Sequence, residues 1–128
     1  MEKTIDRMRE FASAIQNRHN TVIELQVEDG AFSLKPDMKT RHEFIIIYKL
    51  AIRLFAEQLH VPKVNVQIDN TKSFLQLTVF SNIKPRIENN TTISKAITEM
   101  TARTEAVNGR FNLEAGEKGT LITVELKS

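Results

Sequence analysis

The final third of the chain constrains its fold most. Met100-Thr101-Ala102-Arg103 lies inside a helical pattern, Asn108-Gly109 follows, and Lys118-Gly119-Thr120 leads into the alternating run Leu121–Leu126. Ile97, Met100 and Val107 recur at helical spacing, which predicts a helix over 94–107 with those three facing a core. Gly109 stands where a helix takes a left-handed stop. Residues 110–115 and 119–127 then read as two strands joined by a turn around Gly116 and Gly119. A helix, a stop and a hairpin in succession belong in a layered α+β domain.

The rest of the chain fits that layering. Residues 2–18 form an amphipathic pattern, with Ile5, Met8, Ala12 and Ile15 on one stripe and Phe11 beside it. Residues 21–28 alternate around Val22, Leu25 and Val27, with Ile23 out of phase, and read as a strand. Asp29-Gly30 and Lys35-Pro36-Asp37 mark 29–40 as a loop. Thr40, with Glu43 three residues on, is the predicted cap of a second helix running to about Leu59. Phe44, Ile47, Ala51, Leu54 and Phe55 give that helix a wide apolar face, suited to packing across a sheet. Val64, Val66 and Ile68, then Leu75, Leu77 and Val79, alternate on either side of a turn at 69–73 and predict a hairpin. Phe74 and Phe80 are read with the sheet core. Residues 81–93 are polar, contain Pro85, and read as a loop. The expectation is one domain over 1–128: a two-layer α+β sandwich, with a mixed, mostly antiparallel five-stranded sheet and three helices on one face.

Composition removes several functions. With no cysteine among 128 residues, disulfides, zinc thiolates and thiol catalysis are excluded. A net charge of +2 does not make a nucleic-acid-binding surface. The longest apolar run, Phe44–Tyr48, is far too short to cross a bilayer, and the charged residues after Met1 are not a secretion signal. His19, His42 and His60 are scattered, without the i, i+4 spacing of a helical metal pair. Cytoplasmic placement is the expectation.

The Met100–Arg103, Asn108-Gly109 and Gly119-Thr120 pattern, with this element order, resembles the ATP-binding domain of sensor histidine kinases. The order matches over nearly the whole chain, whereas the specific motifs lie in the last third. The resemblance implies ATP and Mg²⁺, phosphotransfer to a histidine, and a place in two-component signalling. It also says where the ligand residues belong, and most are missing. The family's second helix carries a Glu and, four residues on, an Asn that ligates Mg²⁺ through oxygen. Those positions fall near Leu50 and Leu54, or in a shifted register at Ile52 and Ala56. Arg53 can offer a phosphate only its charge, and is read as a helix-edge residue.

The family's adenine-binding Asp falls at Ser81 or Asn82, and Ile83 follows where glycine is expected. The lid glycines that expose backbone N–H groups to phosphate are absent from 83–95, and Ala96 stands in the last glycine's place. Lys84 and Arg86 are the basic residues of the 81–93 loop. No histidine has the setting of a phosphoacceptor. Asn82, Gly119 and Thr120 remain as remnants of a nucleotide site, with no catalytic residue and no metal ligand.

The reading is therefore a degenerate, pseudoenzyme-like module. No cofactor is expected, ATP and Mg²⁺ entering by resemblance alone. The expected partner is a protein, such as a response regulator or a kinase dimerisation domain, and a homodimer is compatible with the sequence. Whether the chain alone is an enzyme stays open. So does its origin, as the ATP-binding part of a larger sensor or a free-standing relic. The alternative is a small-ligand binder or weak enzyme reusing a pocket lined by Leu54, Phe55 and Ile83. In the first reading, Ile83 and Ile87 fold down beside Leu54 and Phe55, and the 81–93 loop closes the site with its own side chains.

Overall fold

A computed structural model describes residues 1–72, 74–83 and 91–127. The elements are α1 (Glu2–Arg18), β1 (Val22–Val27), α2 (Asp29–Phe32), α3 (Met38–Arg53), a π-helical turn (Leu54–Gln58), β2 (Lys63–Thr71), β3 (Phe74–Ser81), α4 (Thr91–Ala106), β4 (Arg110–Gly116) and β5 (Gly119–Lys127). The strands form one sheet in the order β1-β2-β3-β5-β4. β1 runs parallel to β2 and the other neighbours are antiparallel. The three long helices cover one face, giving the two-layer α+β sandwich expected from the sequence.

Alternation along the strands sets the layer boundary. Val64, Val66 and Ile68 of β2, Leu75, Leu77 and Val79 of β3, and Ile122, Val124 and Leu126 of β5 are all buried beneath the helices. Register aligns them, with Ile68 opposite Leu77 and Val79 opposite Ile122. Each pair therefore contributes to the same core layer. From the helices come Ile5, Met8 and Ile15 of α1, Phe44, Ile47, Tyr48 and Ile52 of α3, and Ile93 and Met100 of α4. Tyr48 is fully buried, and its hydroxyl donates to the Met8 carbonyl at 2.8 Å. That bond ties α3 to α1 and satisfies the one polar atom of a large buried ring. Burial pushes the phenol pKa up.

Several local expectations are corrected. Helix α3 starts at Met38, because Asp37 is its cap: the Asp37 carboxylate accepts from the Thr40 backbone N–H at 2.7 Å. Thr40 is the buried third residue of the helix and not its cap. Within the expected 29–40 loop, Asp29–Phe32 forms a single turn, α2, held against β2 by buried Ala31. In β1 the inward residue is Ile23, with Leu25 and Val27 half-buried on its side, while Val22 points to solvent. Phe74 and Phe80 are only half-buried. They alternate with Leu75, Leu77 and Val79, and so lie on the sheet face opposite the helices.

The stop after α4 also differs from expectation. Asn108 takes the left-handed conformation, with φ 56°, and Gly109 does not. Asn108 N–H bonds to the Glu105 carbonyl at 3.0 Å, and Gly109 N–H to the Thr104 carbonyl at 2.9 Å. This is a Schellman closure with asparagine at the left-handed position. Gly109 is required for another reason. A Cβ there would meet the Glu125 carbonyl oxygen at 2.6 Å, so the chain passes too close to β5 for any side chain.

Candidate functional site

The nucleotide site implied by the sequence resemblance would lie between the end of α3, the exit from β3 and the turn before β5. At the end of α3, the metal-ligand position is Leu54, 2% exposed, with Phe55 and Ala56 buried beside it. In the shifted register the positions are Ile52 and Ala56, also buried. Leu50 is half-buried against the same core. None of these side chains has an oxygen to give a hard cation. Among the described residues, no group of three or more His, Cys, Asp or Glu could hold a metal ion.

The helix itself changes at this point. Leu54–Gln58 forms a π turn, closed by Leu59 N–H to the Leu54 carbonyl at 2.9 Å. Val61 N–H reaches the Phe55 carbonyl at 3.1 Å, and between them His60 adopts a positive φ of 50°. The widened turn keeps Leu54, Phe55 and Ala56 all pointing inward. Arg53 leaves on the other side. Its guanidinium stacks over the Phe11 ring of α1, 5.4 Å from the centroid, and approaches Glu57 at 3.9 Å. It is therefore a residue of the α1–α3 contact, as the helix-edge reading expected.

The sequence remnants do come together. Ser81 pairs with Thr120, and both are buried at the end of the β3–β5 ladder. The Ser81 hydroxyl accepts from Ile83 N–H at 3.3 Å, and the Thr120 hydroxyl makes a long 3.5 Å bond to the Ile83 carbonyl. Asn82 is exposed at the bend between them. Gly119 sits underneath with φ 126°, and a Cβ there would lie 2.8 Å from Asn82 Cα and still closer to the Ser81 carbonyl oxygen. Here Gly-Thr lets the β3 exit fold down onto the start of β5. The space beside Gly119 holds the protein's own backbone, and one lone pair of the Ser81 hydroxyl takes the Ile83 N–H. The apolar side chains at the expected metal positions do not fit Mg²⁺, while exposed Asn82 keeps an amide oxygen at the expected adenine position.

The proposed plug is only partly within view. Ile83 remains 40% exposed, so it does not seal the site. Ile87, with Lys84 and Arg86, lies outside the described residues.

The Met100–Arg103 motif has a structural meaning that spacing alone did not disclose. Met100 is fully buried, while Arg103 reaches back to Glu43 of α3 at 3.1 Å and to Glu99 at 3.2 Å. The bonds to Glu43 and then Glu99 raise the arginine's pKa further. Thr104 is buried and its hydroxyl donates to the Met100 carbonyl at 2.7 Å. The Arg103–Glu43 pair thus ties α4 to α3, while the bonds to Glu99 and Met100 brace α4 itself. A cleft of about 420 Å³ opens elsewhere, against Phe80 and Leu121 and under the Glu114–Gly119 turn. Alternation had assigned Phe80 to the core, and so concealed it.

Compared by sequence, the chain matches no protein-family model and no curated protein. Compared by structure, it is similar to histidine kinase domains. The histidine kinase domain of the Erythrobacter litoralis blue-light-activated histidine kinase superposes with a TM-score of 0.72 at 13% identity, over 94% of this chain and 58% of that one. The Acinetobacter baumannii histidine kinase AdeS gives 0.74 at 10% identity, over 98% and 64%. The catalytic domain of histidine kinase ThkA gives 0.69 at 11% identity, over 99% and 92%. The chain thus spans about three-fifths of the first two and nearly all of the isolated catalytic domain. No helix among the described residues is long and apolar enough to cross a membrane. Element order, register and superposition agree: the chain has the histidine-kinase ATPase-like fold.

Proposed function

We propose that this chain is a two-component signalling module that has kept the kinase ATPase-like fold and given up ATP-dependent phosphotransfer. It acts through contacts with a protein partner, of which a response regulator and a kinase dimerisation domain are the candidates that the resemblance offers. The observation that carries this reading is Leu54, an apolar side chain sunk to 2% exposure where the sequence resemblance puts the magnesium ligand. The closed Ser81–Asn82–Gly119 bend supports it at the adenine end. A small apolar ligand in the same place has less support, because Leu54 and Phe55 have almost no free surface to offer one.

Calorimetric titration of the intact chain with Mg-ATP tests the reading. Each lost ligand or polar partner costs on the order of 1–3 kcal/mol. Three such losses carry a micromolar site beyond roughly the millimolar range. The expected result is no saturable heat at millimolar nucleotide. A dissociation constant in the low micromolar range would sink the proposal.

A further inference from the structure

A second surface goes beyond that reading. Between the first turns of α1 and α3 lies a cleft of about 280 Å³, lined by Lys3 and Arg7 from α1 and by Arg41 and His42 from α3. Met38, 78% exposed, and half-buried Ile45 flank the basic groups. The five ion pairs among the described residues involve none of Lys3, Arg7, Arg41 and His42. Asp6 and Glu10 stand three residues beyond Lys3 and Arg7 on α1, and no ion pair joins them. Asp37 is engaged as the α3 cap, although Lys39 and Arg41 help to lower its pKa, and Glu2 lines an adjoining cleft with Lys3 and Arg41.

Lys3 and Arg7 stand four apart on α1, where like charges repel by a few tenths of a kcal/mol. A net charge of only +2 shows that this concentration is local and not a general basicity. Protruding Met38 adds an apolar contact that a free phosphate would not use, and methionine adapts to varied partners.

We propose that this cleft docks an acidic protein segment that carries an apolar side chain, carboxylates meeting Lys3, Arg7 and Arg41, and the apolar group resting on Met38 and Ile45. The surface lies about 20 Å along the helix from Leu54, so it stands whether or not nucleotide binds.

The probe is a fluorescein-labelled dodecapeptide of Asp and Glu around a central Leu, with a Ser-centred twin, measured by anisotropy on the intact chain. Saturable binding of the Leu peptide is expected. The Arg7→Gln/Arg41→Gln double variant should weaken it at least about tenfold, the scale set by removing two charge contacts at an interface. The Arg110→Gln/Lys118→Gln double variant, with the same charge change on β4 and its turn, should leave it unchanged. Met38→Ala should weaken the Leu peptide about threefold and abolish its advantage over the Ser twin. The exposed positions of all five residues keep these variants folded, which circular dichroism verifies. No binding, or an equal loss in both double variants, would overturn the proposal. So would saturable binding of phosphatidylserine vesicles or inorganic phosphate in place of the peptide.

Discussion

Two regions of the molecule match the resemblance to different degrees. The segment from Met100 to Leu126 retains the devices that build the fold: Met100 in the core, Arg103 on Glu43, the closure at Asn108-Gly109, and Gly119 beneath the β3 exit. The second half of α3 and the exit from β3 depart from the nucleotide-binding residues that the resemblance implies, exposed Asn82 apart. They carry Leu50, Leu54 and Ile83, and a π turn runs through Leu54–Gln58. The difference separates two kinds of constraint. Gly109 and Gly119 answer to backbone atoms of this same chain, so the fold needs them whether or not a ligand is present. A metal-binding asparagine or a lid glycine answers only to the ligand, and a leucine in its place adds buried apolar surface.

That contrast can be broken most sharply at Leu54. Putting the missing ligand back as Leu54→Asn should not create a metal site. It should remove a buried aliphatic group and leave an amide without partners, costing about 3–5 kcal/mol. Urea unfolding would register this as a fall in midpoint at constant slope. A variant as stable as the parent, with new Mg-ATP binding, would show that the site is only one substitution from working.

Gly119 gives the next effect. Alanine there must accept φ 126° and also displace the Ser81–Asn82 backbone, and the expected loss is about 2–4 kcal/mol. The same unfolding experiment checks it. A loss under about 0.5 kcal/mol would mean that the β3 exit moves aside freely, and that Gly119 is a ligand remnant after all.

Gly109 and Gly116 form an internal pair of smaller effect. A Cβ at Gly109 meets Glu125 and Leu126, while one at Gly116 meets nothing within 4 Å. Gly109→Ala should cost about 1–3 kcal/mol by overpacking. Gly116→Ala should be neutral or stabilise by about 0.5 kcal/mol through the unfolded chain. Equal effects at both would remove the steric account of Gly109.

The sequence made the layers legible because period-2 and period-3.6 apolar patterns report burial directly. Val64 to Val79 needed nothing else. What it hid depends on contacts between segments. Alternation tells which strand residues share a face but not which face is covered, so Phe74 and Phe80 looked like core. Asp37 and Thr40 are both good capping residues, and only the bond from Thr40 N–H to the Asp37 carboxylate decides between them. Asn108-Gly109 offers two residues fit for a left-handed turn, and the nearness of β5 to Gly109 assigned the turn to Asn108. The π turn has no composition signal. It follows from burying Leu54, Phe55 and Ala56 together. At the candidate site, the apolar residue types could be read from the sequence, whereas the folding of the Ser81–Asn82 bend onto Gly119 could not.

The smallest expected effect lies at Asp37, which caps the start of α3, far from the second half of that helix. Hydrogen bonding from Thr40, with lesser help from Lys39 and Arg41, holds its carboxyl below the usual carboxylate range. A group whose pKa is lower in the folded state stabilises above its unfolded pKa, and that contribution fades as pH falls through the folded one. Asp37→Ala should therefore lower the unfolding midpoint at neutral pH by less than Gly109→Ala does, with the deficit shrinking toward nothing near about pH 2. Asp37→Asn should keep most of the cap, since asparagine caps nearly as well, while removing this site's pH dependence. Urea unfolding of the three proteins across pH 2–7 checks both. If the alanine deficit stays constant with pH, the carboxylate charge contributes nothing, and the start of α3 is fixed by burial of Thr40 and Phe44 instead.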